Sequence, residues 1–435
     1  MTAPLHGISY PDASESEAPL KICMLAACPF PANHGTPGSI REMAEAICER
    51  GHEVHIVTYH IGEDIPIRGP RVNRITPLTR ESSVVVGPTV RRPLYDLQMV
   101  FEAIRVIRRH DCSLIHAHGY EAALIAWLCR ALTGIPVVYS AHNTMADELP
   151  SYGFIRPKWV ARVLARLLDE IVPRLADRCI PHSENSRKFL LGKGLAARTE
   201  PVAHHGIDIE AISGGDGAAI RRQYGLEKAP VVLYAGVLDR FQRLDLLLEA
   251  MVVVLSKEPR AKLLVVLTIP NKSQEDELRR RADELGIPER LILTDHQPLD
   301  ALRDYLQACD VAVVPRPGAP GFPIKVMNYM SARKPTVLFS SSASTGFVHR
   351  ENAFLVDSDT GDALGKALLE VLQDDQLRER IATNGEQFVH DHFNRRLTAG
   401  RVCAAYLRTL EKAGRLARRP EGQLVGTKDA SGHGA

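Results

Sequence analysis

The segment Lys21–Thr58, KICMLAACPFPANHGTPGSIREMAEAICERGHEVHIVT, contains the pattern that decides the fold. It begins with a short apolar run that is typical of a buried strand and continues into a glycine-containing loop. Apolar residues then recur at helical spacing from Ile40 to Ile47, and Gly51 follows, where glycine commonly ends a helix. A second strand-like run, EVHIVT, closes the segment. This order predicts two parallel strands joined by a crossover helix.

The same alternation continues on both sides of a turn-rich stretch, SGGDGAA, at residues 213–219. Runs such as SLIHAH and PVVYSAH precede this stretch, and VVLYAG, AKLLVVLT and VAVVP follow it. Amphipathic stretches separate the runs, which indicates parallel sheets covered by helices on both faces. We therefore predict an α/β fold with two Rossmann-like domains that face each other across a cleft, where such folds bind ligands.

The composition of the two ends and the turn-rich stretch divide the chain into five parts. Residues 1–19 and 417–435 are polar and are predicted to be disordered tails. Residues 20–212 form the first predicted domain and residues 213–392 the second. Residues 393–416 form a C-terminal helix that is apolar on one face and basic at its end.

The composition is that of an ordinary globular protein, with 435 residues, 45% hydrophobic and 24% charged. The formal charge of +2 gives no sign of a nucleic-acid partner, and we predict none. No apolar run approaches the roughly 18 residues that a spanning helix needs, and no signal peptide is evident. The eight cysteines include no C-x-x-C pair. We expect a cytoplasmic protein, attached at most peripherally to the inner face of the membrane, without disulfides or structural zinc.

The stretch GFPIKVMNYM, residues 321–330, predicts a helix whose first turn binds an anion. It follows a strand, and the free amides of a helix N-terminus carry about half a positive charge. Lys325 adds a full charge, and Asn328 offers a donor and an acceptor to a ribose hydroxyl. An ordinary core helix with a solvated lysine explains this stretch alone equally well. The residues predicted to bind a nucleotide-linked donor here are Phe322, Ile324, Lys325 and Asn328.

A second candidate for donor binding is GVLDRFQRLDLLLEAM, which begins at Gly236. Gly236 ends a strand, and the following loop carries Asp239, Arg240 and Arg243 at the carboxyl end of the sheet. Guanidinium groups at that edge suit a pyrophosphate. A solvated turn is the alternative, and the position of the loop favours binding.

In the first domain, Gly35 lies in a loop that would let a ligand approach the backbone closely. The loop lacks G-x-G-x-x-G, and no acid ends the second strand, which argues against a dinucleotide oxidoreductase. His142 lies just beyond a strand end, where it can hydrogen-bond a sugar or transfer protons, although a structural histidine is the alternative. His116 and His118 have the spacing of metal ligands but no evident third partner, so we predict no metal site.

Four stretches together resemble glycosyltransferase family 4, retaining enzymes of the GT-B fold. They are GSIREMAEAICERGHEVHIVT, HHGID, GVLDRFQRLDLLLEA and GFPIKVMNYMSARKPTV followed by ENAFLV, and the likeness runs from about Lys21 to Leu410. The resemblance implies transfer of a sugar from a UDP- or GDP-linked donor to a glycan or lipid-linked acceptor, in cell-surface polysaccharide or glycoconjugate synthesis. It implies no metal or other cofactor, a place for His142 near the reacting sugar, and a last helix that returns to the first domain.

The chain departs from the family pattern at Val237, Gln242, Arg243, Pro320 and Asn328. The family usually has Arg, Lys, Gly, Glu and Glu at these positions, and both glutamates contact the donor. Two other functions therefore stay open. One is a catalytically weak binding protein, and the other is a sugar-nucleotide epimerase of the same fold.

Residues 152–178 contain an amphipathic helix with Trp159, Val163, Leu167 and Ile171 on one face and arginines elsewhere. Such a helix suits peripheral contact with an anionic membrane, as a lipid-linked acceptor would require. Packing of the same face into the core is the alternative, and the sequence alone favours it.

Overall fold

The computed structural model describes residues 19–32, 35–77, 91–149, 155, 157–298, 301–318, 324–343 and 346–416. Apart from Pro19, the two tails that were predicted to be disordered lie outside these ranges.

The first domain is built on a parallel six-stranded sheet with the order β3-β2-β1-β4-β5-β6. Its strands are β1 (Lys21–Ala26), β2 (Glu53–Thr58), β3 (Arg71–Arg74), β4 (Leu114–His118), β5 (Val137–Ala141) and β6 (Arg178–Pro181). Strands buried on both faces read as continuous apolar runs, which is why the sequence predicts most of them. The helices are α1 (Gly35–Glu49), α2 (Arg92–His110), α3 (Tyr120–Thr133), α4 (Met145–Glu148), α5 (Lys158–Ile171) and α6 (Glu184–Gly192).

The second domain repeats this plan, with the strand order β12-β11-β10-β7-β8-β9. Its strands are β7 (Val231–Gly236), β8 (Lys262–Leu267), β9 (Leu291–His296), β10 (Val311–Val314), β11 (Thr336–Phe339) and β12 (Phe354–Val356). Its helices are α7 (Ile209–Ile212), α8 (Gly217–Tyr224), α9 (Leu244–Leu255), α10 (Lys272–Glu284), α11 (Leu302–Ala308), α12 (Ile324–Ser331), α13 (Gly361–Gln373) and α14 (Asp375–Phe393). The predicted α/β class with two Rossmann-like domains is confirmed.

The last helix, α15 (Arg395–Lys412), leaves the second domain and packs on α1, β5 and β6 of the first. Two chain segments therefore cross between the domains, and they are bonded to each other. The amide of Ile207 donates to the carbonyl of Phe393 at 2.9 Å, and the amide of Arg395 donates to that of Ile207 at 3.1 Å. A Cβ on Gly206 would lie 2.4 Å from the Cα of Arg395, so glycine is needed for this close crossing.

Helix α5 contradicts the interpretation that the sequence favoured. Its buried stripe consists of Ala161, Ala165 and Asp169, and Trp159 is 64% exposed. The small side chains let the helix lie close to the domain, and the carboxylate of Asp169 caps the backbone amide of Met145 at 2.8 Å. The face that was expected to pack in the core therefore points outward. No helix in the described part of the chain is long and apolar enough to cross a bilayer.

Candidate functional site

Histidines gather at the carboxyl edge of the first sheet because three neighbouring strands end there. His118 ends β4, His142 directly follows β5, and His182 directly follows β6. His205, in the segment that leads to the second domain, stacks on two of them, with ring centroids 5.3 Å from His142 and 4.7 Å from His182. We call His116, His118, His142, His182 and His205 the histidine cluster. The predicted catalytic residue His142 is therefore one member of a group.

A chain of hydrogen bonds connects this cluster to α15. Tyr406 Oη lies 2.7 Å from His116 Nδ1, and Ser140 Oγ lies 2.8 Å from Nε2 of both His116 and His182. The chain ends where His182 Nδ1 meets the carbonyl oxygen of Ala203 at 2.5 Å. Burial lowers the pKa of His116 to about 3 and that of His182 to about 4, so both rings are neutral near pH 7.

The carbonyl of Ala203, at the end of this hydrogen-bond chain, determines the position of each proton along it. A carbonyl only accepts, so His182 carries its proton on Nδ1 and its Nε2 must accept from the Ser140 hydroxyl. The single proton of that hydroxyl is already donated to His182, so its oxygen accepts a hydrogen bond from Nε2–H of His116. His116 Nδ1 is then bare and accepts from the Tyr406 hydroxyl. Each group of the chain therefore has one protonation state that satisfies all its bonds.

The hydrogen bonds around His142 do not fix its protons in the same way. Its Nε2 lies 3.2 Å from His118 Nδ1, whereas His142 Nδ1, His118 Nε2 and His205 Nδ1 are buried without a hydrogen-bond partner among the described residues. Burial lowers the pKa of all three histidines, so each ring has one donor and one acceptor nitrogen. Unpartnered buried polar atoms are costly, and a hydroxyl-rich ligand would satisfy them.

The ring geometry does not suit a metal ion. The rings of His142, His182 and His205 are stacked within 16° of parallel, and a ring nitrogen binds a metal in the ring plane, so their lone pairs do not converge. Glu53, His55 and His110 bring their ligand atoms within 4.8 Å of one another. There, too, the rings of His55 and His110 are stacked, 3.9 Å apart.

In the second domain, Lys325 on α12 reaches across to β7. Its ammonium donates to the Tyr234 hydroxyl and to Oε1 of Gln242, each at 2.8 Å. The Tyr234 hydroxyl in turn donates a hydrogen bond to the carbonyl oxygen of Val237 at 2.9 Å. Burial, followed by the nearby Arg316 guanidinium, lowers the pKa of Lys325 to about 7. The ammonium is thus held by neutral oxygens and has no carboxylate bound to it.

This arrangement bears on one departure from the family pattern. Gln242 occupies a position where the family usually has a lysine, and its amide now receives the ammonium of Lys325. The positive charge is therefore present at that place but comes from α12. Gly236 belongs to the same group, since a Cβ added to it would lie 2.9 Å from Nζ of Lys325.

Asn328 lies one turn after Lys325 and is partly exposed, and its side-chain amide makes no hydrogen bond with any described residue. Ile324 begins α12, and Phe322 and Pro320 lie outside the described residues. Gly35 begins α1 with φ of +46°, and no atom of a described residue outside its own helix turn lies within 4 Å of the place where its Cβ would be.

The charged residues of the loop after β7 make different contacts. Asp239 caps the turn that follows it, accepting from the amide of Gln242 at 3.0 Å. Arg243 binds Asp245 with two nitrogens, at 3.0 and 2.9 Å. Arg240 is exposed and pairs with no described acid. Arg240 and Arg243 line a groove of about 550 Å³ between α9 and α10, and Lys325 is not part of its lining. The structure brings Lys325 to Gly236 and Gln242, and it places Arg240 and Arg243, which flank Gln242 in the sequence, on a groove that Lys325 does not line.

Sequence reasoning missed several residues of these groups. Ser140, His182 and His205 were not singled out, although the stretch HHGID contains the last of them. Arg316 and Tyr234 were missed in the second domain. The strands that precede His118, His142 and His182 had been predicted, so the residue at or directly after each strand end was the available signal.

Comparison with known proteins places both halves of the chain. The family model "Glycosyltransferase Family 4" matches residues 35–211, and the model "Glycosyl transferases group 1" matches residues 216–388. The D-inositol 3-phosphate glycosyltransferase of Thermobispora bispora is 25% identical over 397 residues, which cover 86% of this chain and 90% of that protein. The protein of the same name from Geodermatophilus obscurus is 27% identical over 291 residues. That match spans 63% of the length of each chain.

Solved structures show the same fold. Anabaena HepE, in complex with UDP and glucose, superposes with a TM-score of 0.69 and 19% identity, over 90% of this chain and all of HepE. Sucrose-phosphate synthase from Thermosynechococcus elongatus gives a TM-score of 0.73 and 19% identity, with the same coverage. The predicted arrangement of two facing Rossmann-like domains is that of these proteins.

Proposed function

The chain belongs to glycosyltransferase family 4, and we propose that it transfers a sugar from a nucleotide-linked donor to a glycan or lipid-linked acceptor, with retained configuration. The observation that carries this proposal is the half-buried ammonium of Lys325, which lies at the start of α12 without a bound carboxylate. A cation held only by neutral oxygens at a helix N-terminus favours an anionic ligand. The diphosphate of a nucleotide sugar supplies one.

In the proposed reaction the acceptor hydroxyl attacks the anomeric carbon from the side on which the diphosphate leaves. The new bond joins the acceptor oxygen to the anomeric carbon, the bond from that carbon to the phosphate oxygen breaks, and the hydroxyl proton passes to the leaving phosphate. Stabilising the leaving diphosphate is then the main electrostatic task, and we assign it to Lys325 and the first turn of α12, without a metal. Asn328 would bind the ribose.

The first domain contributes His142 in this proposal. As a neutral ring it gives a sugar hydroxyl one donor or acceptor nitrogen, and it adds no positive charge beside an anomeric carbon that becomes positive. Its stacking on His182, which the hydrogen-bond chain holds in place, fixes the ring plane.

A weakly active binding protein is the second candidate, and the amide at position 328 favours it. An amide can bind a ribose but cannot ionise as the usual glutamate does. An epimerase would require acids or bases beside the sugar, and position 320, where the family usually has a glutamate, is a proline.

The test begins with thermal unfolding of the full chain in the presence of UDP, GDP, ADP and their sugar conjugates. A ligand that binds only the folded protein adds about 2.7 kcal/mol at 100 times its dissociation constant. We expect one nucleotide to raise the midpoint, and the matching nucleotide sugar to give a product with an unchanged anomeric configuration by NMR. UDP is the first nucleotide to try, since the HepE structure contains it. Inositol phosphate belongs in the acceptor panel because of the relatives' names.

Binding without any transfer or donor hydrolysis would support the binding-protein alternative. A product that is an isomer of the donor sugar would support the epimerase. Absence of any nucleotide-dependent shift would contradict the assignment of α12 as the donor site.

A further inference from the structure

One helix layer of the first domain has an unusually apolar outer side. Of the seventeen large hydrophobic side chains that are exposed in the described part of the chain, twelve lie on α2, α3 and α5. These helices cover the same side of the first sheet. Helix α2 packs on α3, and both α3 and α5 pack on the short turn Val172–Leu175. We call their outer side the apolar face. An exposed apolar surface of this extent marks an interaction site.

Helix α5 has the most exposed part of this face. Trp159, Val163, Leu167 and Ile171 follow one another at helical spacing and are between 44% and 64% exposed. The helix already packs on its domain through its small-residue stripe. The second, apolar stripe is therefore not needed for that packing and stays exposed. A helix with one stripe toward its domain and another toward solvent is built to contact something outside the domain.

The charges beside the apolar stripe are positive. Lys158, Arg162 and Arg166 are exposed and pair with no described acid. The acids of the helix are engaged, because Asp169 is buried and Glu170 binds Lys193 at 2.7 Å. The three helices together contain eight Arg and Lys against five Asp and Glu, whereas the whole chain has a net charge of only +2. The occupant of this face is therefore expected to be anionic.

The apolar face reaches the rim of the cleft. Helices that cover a parallel sheet run opposite to its strands, so their first turns lie at the carboxyl edge. Helix α3 begins two residues after His118, at this edge. Tyr120, at the start of α3, donates to Asp169 in the last turn of α5, so the end of the α5 stripe, at Leu167 and Ile171, lies at the same edge. A molecule held on this face lies beside the histidine cluster.

We propose that the apolar face docks this protein on a membrane with anionic headgroups, and that the acceptor reaches the histidine cluster from that membrane, attached to a lipid. The second half of this inference rests on the proposed function. Tryptophan and aliphatic side chains enter the boundary between headgroups and acyl chains, and arginine and lysine beside them bind anionic headgroups.

A second copy of the chain suits the face less well. In a two-fold contact the same patch meets itself, so Arg162 and Arg166 of one copy would approach those of the other. Like charges without intervening acids oppose such a contact, whereas an anionic membrane attracts both residues.

The protein contains its own probe for this surface. The chain has two tryptophans, Trp127 and Trp159, and both lie on the apolar face, 47% and 64% exposed. Tryptophan emission of the full, unmodified chain therefore reports on this face alone. Titration with vesicles of phosphatidylcholine and phosphatidylglycerol should shift the emission to shorter wavelength, and vesicles of phosphatidylcholine alone should shift it much less. Added salt should reverse the binding.

Variants separate the charge and the apolar contributions. Arg162→Gln and Arg166→Gln should each weaken vesicle binding about fivefold, and Arg279→Gln, at an exposed and unpaired arginine of α10, should not. Val163→Ser should also weaken binding, with Val252→Ser on the exposed side of α9 as its control. Co-sedimentation with the same vesicles provides the second measurement.

Absence of both co-sedimentation and an emission shift at low salt would overturn the docking proposal. A shift that depends on protein concentration without vesicles would assign the face to a second copy and overturn it as well. Donor hydrolysis and transfer to soluble acceptors, measured in solution, test the proposed function separately because Lys325 lies in the other domain. Vesicle binding with equal transfer to soluble and lipid-attached forms of one acceptor would overturn the second half alone.

Discussion

At the scale of single residues, the surroundings of Lys325 give it an unusual proton affinity. Two neutral oxygens accept its hydrogen bonds, and burial and the Arg316 guanidinium lower its pKa more than the Asp239 carboxylate raises it. The ammonium therefore lies near the point at which it gives up its proton at neutral pH. A bound diphosphate would supply the missing negative charge and raise the pKa again.

Removing this ammonium should weaken donor binding. A hydrogen bond to a charged group contributes about 1.5–3 kcal/mol, so we expect Lys325→Ala to raise the dissociation constant of the nucleotide sugar about 10- to 100-fold. Titration calorimetry measures it. Arg243→Ala is the control, because Asp245 already holds that guanidinium. An equal loss in the control, or none in Lys325→Ala, would move the diphosphate away from α12.

The same residue predicts a pH dependence of donor binding. Its pKa is about 7 in the free protein and should be higher in the complex, so above about pH 7 binding must take up a proton. Affinity should therefore fall as pH rises from about 7, by at most about tenfold per pH unit. Calorimetry in two buffers of different ionisation enthalpy measures the proton uptake directly. Proton uptake that persists in Lys325→Ala would assign it to another group.

At the scale of elements, the series of hydrogen bonds from Tyr406 to Ala203 attaches α15 to the carboxyl edge of the first sheet. Ser140 stands at its centre, with one histidine on each side. Its hydroxyl donates to one ring and accepts from the other, a double role that no apolar residue can fill.

Replacing Ser140 by alanine should therefore leave two buried ring nitrogens without partners. Each unsatisfied polar group costs about 1–3 kcal/mol, so the unfolding midpoint in urea should drop clearly. Ser256→Ala is the matched control, since that exposed hydroxyl only bonds a carbonyl within its own helix turn. Nitrogen NMR should still show the proton of His182 on Nδ1, because Ala203 is untouched. Equal stability of the two variants would contradict the proton assignment.

Elements were predictable to the extent that local pattern determines them. The strand VVLYAG was expected and is β7, Val231–Gly236, because a buried parallel strand is a continuous apolar run. The buried face of α5 was predicted wrongly, since hydrophobicity favours Trp159 over Ala161, whereas close packing uses the small residue. The histidine cluster was out of reach because the sheet order that makes β4, β5 and β6 neighbours is not a local property.

At the scale of the whole molecule, Arg395 holds the crossing between the domains. Its guanidinium contacts Glu42, Glu45 and Glu49 of α1 and Asp208 of the other crossing segment, at 2.6–3.3 Å. Its side chain is only 11% exposed. Burial raises the pKa of Glu42, and the neighbouring arginines oppose that rise.

Loss of Arg395 should loosen α15 from the first domain. Breaking a largely buried ion pair from one side costs about 3–5 kcal/mol, so Arg395→Met should lower the thermal midpoint and speed amide exchange along α15. Arg396→Met is the control, because that side chain is 62% exposed and its pairs are at the surface. Unchanged exchange in Arg395→Met would show that apolar packing alone fixes α15.

The return of α15 to α1 has a consequence for biosynthesis. Helix α1 emerges early from the ribosome, but the helix that covers its apolar side, through residues such as Val402 and Tyr406, is translated roughly 350 residues later. At about 5–20 residues per second this delay is roughly 20–70 s. During that time the nascent first domain presents an open hydrophobic surface to chaperones. The domain that is made first is thus among the last parts of the molecule to be completed.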